Sequence, residues 1–287
     1  NLSVLAWTEC YRTQELVEAV RKLEKMGYHE LWLPELNGRE PFSTCGFLLN
    51  ATTSLRVSTG IANVYVRDAV AVAQARRTLA ELSGNRFSLG LGVSHPNLVE
   101  PRGHIWQKPV PKLRTYLSDI KAAEMSSPDP EMQAPIIIAA HAKGLWSVAA
   151  EHADGILTNL LMPQSIRNAR EVIGEDKSVH SLLRCVADPD PVRAREKIRA
   201  SLGFYLALPA YHRAWSACGF GPEDWCNGGS DRLIDAIAVH GSSADILRGL
   251  QRFSDAGTTH GVLAAAGRHS SDSEWDWELL EALAPYR

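Results

Sequence analysis

The sequence predicts an α/β fold, a (β/α)8 TIM barrel with insertions at the C-terminal face of the strands. Three observations carry that expectation. Eight short apolar runs alternate with longer amphipathic segments along the 287 residues. The runs are apolar almost throughout, as strands of a parallel sheet are when helices cover one face and a packed interior the other. The two stretches that break the rhythm of short connections both leave from the end of a run, the face on which such barrels build their sites.

Taken in order, the runs are LSVLAW (2–7), ELWLPE (30–35), RVSTGIANVYV (56–66) and RFSLGLGV (86–93), then PIIIAAH (135–141), DGILTNLL (154–161), HSLLRCVA (180–187) and GVLAAA (261–266). Between the first two, Leu16, Val17, Val20 and Leu23 share one face of a helix over 13–26, and Gly27 follows where that helix should stop. Between the third and fourth, Val72, Ala75, Leu79 and Leu82 do the same over 68–83, with Gly84 as the stop. The insertions are expected at about 95–111, after the fourth strand, and at about 188–241, a helical segment after the seventh. MSSPDPEMQAP (125–135) reads as a surface loop entering the fifth strand, so the whole of 1–287 is expected to form one domain.

Composition narrows the class of function. Net charge is −3, with 45% apolar and 22% charged residues, which gives no basic footprint for nucleic acid. No apolar stretch has the length of a membrane span, and no basic-then-apolar leader precedes the first strand. The chain opens at Asn1 already inside an apolar run, which suggests a missing initiator segment. The five cysteines are scattered, without a C-x-x-C pair, as expected of free thiols in a cytoplasmic protein. No H-x-x-x-H or H-E-x-x-H spacing occurs among the ten histidines, so no metal site is expected, and a G-x-S-x-G elbow is absent.

Strand ends supply the candidate residues. FSLGLGVSHPN (87–97) carries Gly90 and Gly92, but His95 occupies the place of the third glycine in a dinucleotide loop, and Pro96 follows. The glycines then read as a place where a planar ligand approaches the backbone, with Ser94 and His95 at the exit. Glu35 follows LWLP and offers a carboxylate for general acid or base work, or for a salt bridge to Arg39 or Arg67 at the barrel rim. His141 and Lys143 precede a helix that starts near Gly144, where free N–H groups can bind an anion. Residue types alone stop at a barrel enzyme and do not give its reaction.

Five stretches resemble, in order, the luciferase-like monooxygenase superfamily of flavin and deazaflavin barrels, nearest its coenzyme F420-dependent oxidoreductases. They are GYHELWLPELNGREPF, STGIANVYVRDAVAVAQARRTLAELSGNRFSLGLGVSH, LVEPRGHIWQKP, HADGILTNLLMP and GFGPEDWCNGGSDRLIDAIAVHG. The resemblance implies hydride transfer between F420 and a small or medium organic molecule, without nucleic acid or membrane as partner, in a protein that often forms homodimers. It places the cofactor ring beside Gly92 and Ser94, against a third-strand bulge at Ala62, Asn63 and Val64 that often carries a non-proline cis peptide. Trp7, Asn63 and His95 would line the ring, Glu35 or His95 would handle the proton, and the 188–241 segment would close over the site. The cofactor phosphate would lie at His141, Ala142, Lys143, Gly144 and Leu145.

Two departures from the family pattern fall at this face. Ala142 stands where relatives carry glycine, and GILTNLL replaces a more polar or aromatic exit from the sixth strand. They keep two alternatives open: an FMN-dependent monooxygenase, and a barrel without redox cofactor that performs acid–base chemistry. A strand-five loop crowded against phosphate would favour the latter, and an open basic groove would favour the deazaflavin.

Overall fold

The computed structural model describes residues 1–264 and 274–285. Its strands are β1 (Leu2–Leu5), β2 (Glu30–Leu33), β3 (Arg56–Thr59), β4 (Ala62–Asn63), β5 (Phe87–Gly92), β6 (Ile136–Ala139), β7 (Gly155–Asn159), β8 (Ser178–Ala187), β9 (Ala238–Gly241) and β10 (His260–Ala264). All pairings are parallel. β1, β2, β3, β5, β6, β7, β8 and β10 follow one another around the sheet, and β10 pairs with both β8 and β1, which closes an eight-stranded barrel. Each of the eight apolar runs coincides in large part with one of these strands. Residues 265 and 266, the end of the last run, lie outside the described residues.

Burial explains the runs. All four residues of β2 and all six of β5 are buried, since one face meets the barrel interior and the other the helical layer. The first helix spans Thr13–Lys25 with Leu16, Val20 and Leu23 buried, and Gly27 takes φ 82° as the stop. The helix Ala69–Leu82 is capped by Asp68, whose carboxylate accepts the Ala71 N–H at 2.8 Å. Val72 and Leu79 are buried as expected, but Leu82, the last residue of the helix, is 75% exposed.

Three further findings concern the chain path, of which the first is a correction. The third run is two strands rather than one: β3 and β4 are separated at Gly60–Ile61, which is the cis peptide, so the cis bond precedes Ala62–Val64 rather than lying within it. A Cβ at Gly60 would sit 2.8 Å from the Cβ of Trp32, a fully buried residue of the barrel interior, so the crossing requires glycine there. Second, the 95–111 segment contains the short helix Pro96–Val99 and a 3-10 turn, and runs into the helix Pro109–Ala122. Third, the 188–241 segment is folded with a core of its own. Helices Pro191–Leu206, Pro209–Ser216, Pro222–Trp225 and Asp231–Ile237 bury Leu202, Trp215, Leu233 and Ile234 against Leu160 and Met162. Its last residues form β9, which extends the sheet along Arg184–Ala187.

Candidate active site

Alternation along the strands sets the mouth of the barrel. Leu5, Trp32, Ile137, Leu157, Leu182, Val262 and Ala264 pack together in the interior. The same alternation brings Trp7, Asn159 and Arg184, each two positions beyond one of these residues, and His141, four beyond Ile137, to the C-terminal rim. Trp7 is half-buried, and its carbonyl accepts the indole N–H of Trp275 at 2.7 Å.

On the β3–β4 side, Ala62, Asn63 and Val64 are buried. Glu35 fixes their path: Oε2 accepts the backbone N–H of Asn63 at 2.7 Å, while Oε1 pairs with Arg67 at 2.7 Å. Arg67 also pairs with Glu40, and its guanidinium lies over the Phe42 ring at 4.8 Å. Asn63 Oδ1 turns back to accept the Tyr65 N–H at 3.0 Å. The salt bridge foreseen for Glu35 is therefore present, with Arg67 as partner. Arg39 is engaged elsewhere, donating to the carbonyls of Thr8 and Tyr11.

The glycines of β5 have a packing cause. A Cβ at Gly90 would lie 1.9 Å from the Thr59 carbonyl oxygen, and one at Gly92 would lie 2.3 Å from Ile61 Cδ1. The neighbouring strand segment takes the place that both side chains would need. Ser94 beyond them takes φ 59° and turns the chain into His95, the N-cap position of the helix Pro96–Val99.

His95 and His141 meet the insertion. The Tyr211 ring stands 5.0 Å from that of His141 and 6.4 Å from that of His95, centre to centre. Its hydroxyl accepts from Asn159 Nδ2 at 2.9 Å and faces His141 Nε2 at 3.4 Å. His141 Nδ1 and Asn159 Oδ1 are buried without a hydrogen-bond partner. Burial, with His95 nearby, lowers the His141 pKa to about 4, and burial alone lowers that of His95. Both imidazoles are neutral at pH 7. Burial raises the Tyr211 phenol above its ordinary range, so it too is neutral.

The segment after β6 is open. Ala142, Lys143 and Gly144 are exposed, Leu145 is half-buried, and Ala142 occupies the N-cap of the helix Lys143–His152 without a side-chain cap. The missing side chain of Gly144 makes room for Val110, whose Cγ2 would stand 2.9 Å from a Cβ there. The residues present fit an acidic cofactor tail, since uncapped amides and the exposed Lys143 face solvent beside the rim. Among the described residues, no group of three or more His, Cys, Asp or Glu is arranged to hold a metal, and no helix is long and apolar enough to cross a membrane.

Residue reasoning missed Tyr211, Tyr205 and Arg184. No local pattern marks the two tyrosines, which reach the mouth through the docked insertion. Arg184 did leave a signal, being a cation inside the apolar run HSLLRCVA at an inward position.

Comparison with known proteins agrees with this architecture. The model of the luciferase-like monooxygenase family matches residues 6–260. A 5,10-methylenetetrahydromethanopterin reductase of Archaeoglobus fulgidus is 25% identical over 296 residues, covering 86% of this chain and 88% of that protein. Among solved structures, the F420-dependent tetrahydromethanopterin reductase of Methanopyrus kandleri superposes with a TM-score of 0.77 at 16% identity, covering 99% of this chain and 97% of that one. An F420-dependent secondary alcohol dehydrogenase, solved with an F420–acetone adduct, gives 0.76 at 16% identity, with 100% and 98% covered. At that identity the structural likeness speaks to the fold.

Proposed function

Because the chain belongs to the luciferase-like monooxygenase family, we propose that it is an oxidoreductase that uses coenzyme F420 and a small or medium organic substrate. The observation that carries this reading is the open start of the helix Lys143–His152, where Ala142, Lys143 and Gly144 are exposed and no side chain caps the first amides. It favours an anionic cofactor over the crowded loop that loss of the cofactor predicts. A Mycobacterium tuberculosis protein named a putative coenzyme F420-dependent oxidoreductase, 31% identical over 109 residues and 38% of this chain, supports the deazaflavin over FMN.

When bound, the deazaflavin supplies or accepts a hydride at its C5. The chain's own residues supply place and proton. Lys143 and the amides of Lys143 and Gly144 would hold the acidic tail, and the Ala62–Val64 bulge, pinned by Glu35, would support the ring. His95 carries the proton role in this reading. Both oxygens of Glu35 are already engaged, whereas the ring of His95 makes no hydrogen bond to any described residue. Its neutral imidazole accepts the proton of an alcohol, and its protonated form returns one to a ketone or imine. Tyr205 and Tyr211 cover the mouth and keep water from it.

A fluorescence titration with F420, and with FMN in parallel, tests the proposal. The expected result is saturable binding of the deazaflavin at micromolar concentration or below, weaker binding of FMN, and about fivefold weaker F420 binding in Lys143→Gln, as loss of one exposed helix-terminal charge implies. Absence of F420 binding overturns it.

A further inference from the structure

We propose that Arg184 forms an oxyanion subsite at the barrel mouth, which receives a carboxylate or phosphate group of the organic substrate. The identity of the occupant as substrate rests on the F420 reading above. The site itself rests on Arg184.

Its position follows from the strand order. Around the closed barrel, β8 lies four strands from β3 in either direction. Arg184, inward-facing on β8, therefore looks across the mouth toward the Ala62–Val64 bulge. Were the ring held on that bulge, as proposed above, Arg184 would stand on the opposite side of the mouth, where a substrate would lie between them.

Its chemistry is that of a cation awaiting a partner. Arg184 is 5% exposed, and its Nε is buried without a hydrogen-bond partner. No carboxylate among the described residues comes within ion-pair distance of its guanidinium, whose one ring contact is the face of Tyr205 at 5.2 Å. A buried guanidinium normally has a carboxylate or a set of carbonyls around its donors. Here the space beside it is a cavity of about 160 Å³ at the ends of β8 and β10, lined also by Ser201 and Lys197. Other charges at the cavity are committed or in solvent. Lys197 pairs with Asp188 at 2.9 Å, Asp276 caps the helix Trp277–Ala282 through the Leu279 N–H at 3.0 Å, and Glu278 is exposed. The fork of Arg184 matches an oxyanion bidentately, a geometry that a lysine does not offer.

Calorimetric titration of F420-saturated protein with succinate and with orthophosphate tests the subsite, and the tighter of the two identifies the preferred oxyanion. Wild type is expected to bind at least one of them in a single site, and Arg184→Gln to bind it at least tenfold more weakly. Arg184→Lys retains the charge over Tyr205 but lacks the fork, and is expected to bind three- to tenfold more weakly, which keeps the test decisive should Arg184→Gln not fold. Succinate is also expected to raise the Tm of wild type and not that of Arg184→Gln. A residue that only pins Tyr205 predicts no anion binding, or equal binding in both variants, and either result overturns the proposal. Displacement of succinate by F420 also overturns it, because the subsite would then belong to the cofactor's acidic tail. Fluorescence of F420 in the same samples separates the two proposals: anion binding that depends on Arg184, in protein that does not bind F420, overturns the cofactor reading alone.

Discussion

Tyr211 and Asn159 are 52 positions apart in the chain, and their side chains meet at 2.9 Å over the barrel mouth. The contact joins the insertion to the end of β7, and the same hydroxyl faces His141 Nε2 at 3.4 Å. Trp215 strengthens the junction by donating its indole N–H to the Leu160 carbonyl at 2.8 Å. The cover of the site is thus a packed and hydrogen-bonded piece of the fold.

Tyr211→Phe removes the acceptor of Asn159 and leaves its amide buried without that bond. Loss of one buried partner costs about 1–3 kcal/mol. Denaturant unfolding is expected to show a loss of this size, and hydrogen exchange to show the increase in exchange concentrated in residues 191–237. A uniform increase across the barrel would contradict a local docking role.

Glu35→Gln breaks a largely buried ion pair and weakens the acceptor that pins Asn63. Removing one partner of such a pair costs about 3 kcal/mol when both are buried, and about 2 kcal/mol here because Arg67 keeps Glu40. The shape of the pH–rate profile is expected to be unchanged in Glu35→Gln and altered in His95→Gln. Loss of a limb of the profile in Glu35→Gln would return the proton role to Glu35.

Gly90→Ala and Gly92→Ala are expected to differ. At 90 the new methyl meets a backbone carbonyl, which cannot move without the strand, so the loss should reach about 3 kcal/mol or more. At 92 it meets the tip of Ile61, and Ile61→Val removes that Cδ1. Unfolding of the double variant Gly92→Ala/Ile61→Val should recover part of the loss of the single one, and no recovery would refute the steric account.

Three histidines at the opposite end of the barrel make stability depend on pH. His180 and His260 stack with ring centres 4.3 Å apart, and His29 stands 5.5 Å from His260. Burial, with neighbouring cations including Arg56 and the N-terminus, lowers the pKa of His180 and brings that of His260 to about 4, from an ordinary 6.5. The unfolded chain therefore binds protons in this range that the folded one refuses. The contribution is complete above about pH 6.5 and is lost as the pH falls toward 4. Glu24, held at about 2, contributes its own loss only below the ordinary carboxylate range. Tm is expected to fall by about 2–3 °C between pH 7 and pH 5, a change of about 1–2 kcal/mol in a chain of this size, and to fall less in His260→Gln. An unchanged slope in that variant would locate the protons elsewhere.

Much of the fold was legible because its cause is local. A strand such as FSLGLG, buried on both faces, must be apolar throughout, and a helix such as Thr13–Lys25 must repeat its apolar residues at helical spacing. β9 was not legible, since Ala238–Gly241 forms a strand only because Arg184–Ala187 extends past the barrel to receive it. At the rim, strand-end reasoning singled out Glu35, His95 and His141 as candidates, but it could not foresee the packing of Thr59 and Ile61 against the glycines of β5. Their sequence cannot tell whether a ligand or Ile61 fills the space.

By itself the sequence determined the eight-stranded barrel, because burial and periodicity are written along the chain, and the family, through five stretches that resemble it in order. Only the tertiary structure decided that Glu35 closes on Arg67, that Tyr211 packs against His141, and that Arg184 is buried without a counter-ion among the described residues. Those relations join residues from strands and helices far apart in sequence. Each depends on the barrel closing first, since a charge or a hydrogen bond acts over a few ångströms of space and takes no account of distance along the chain.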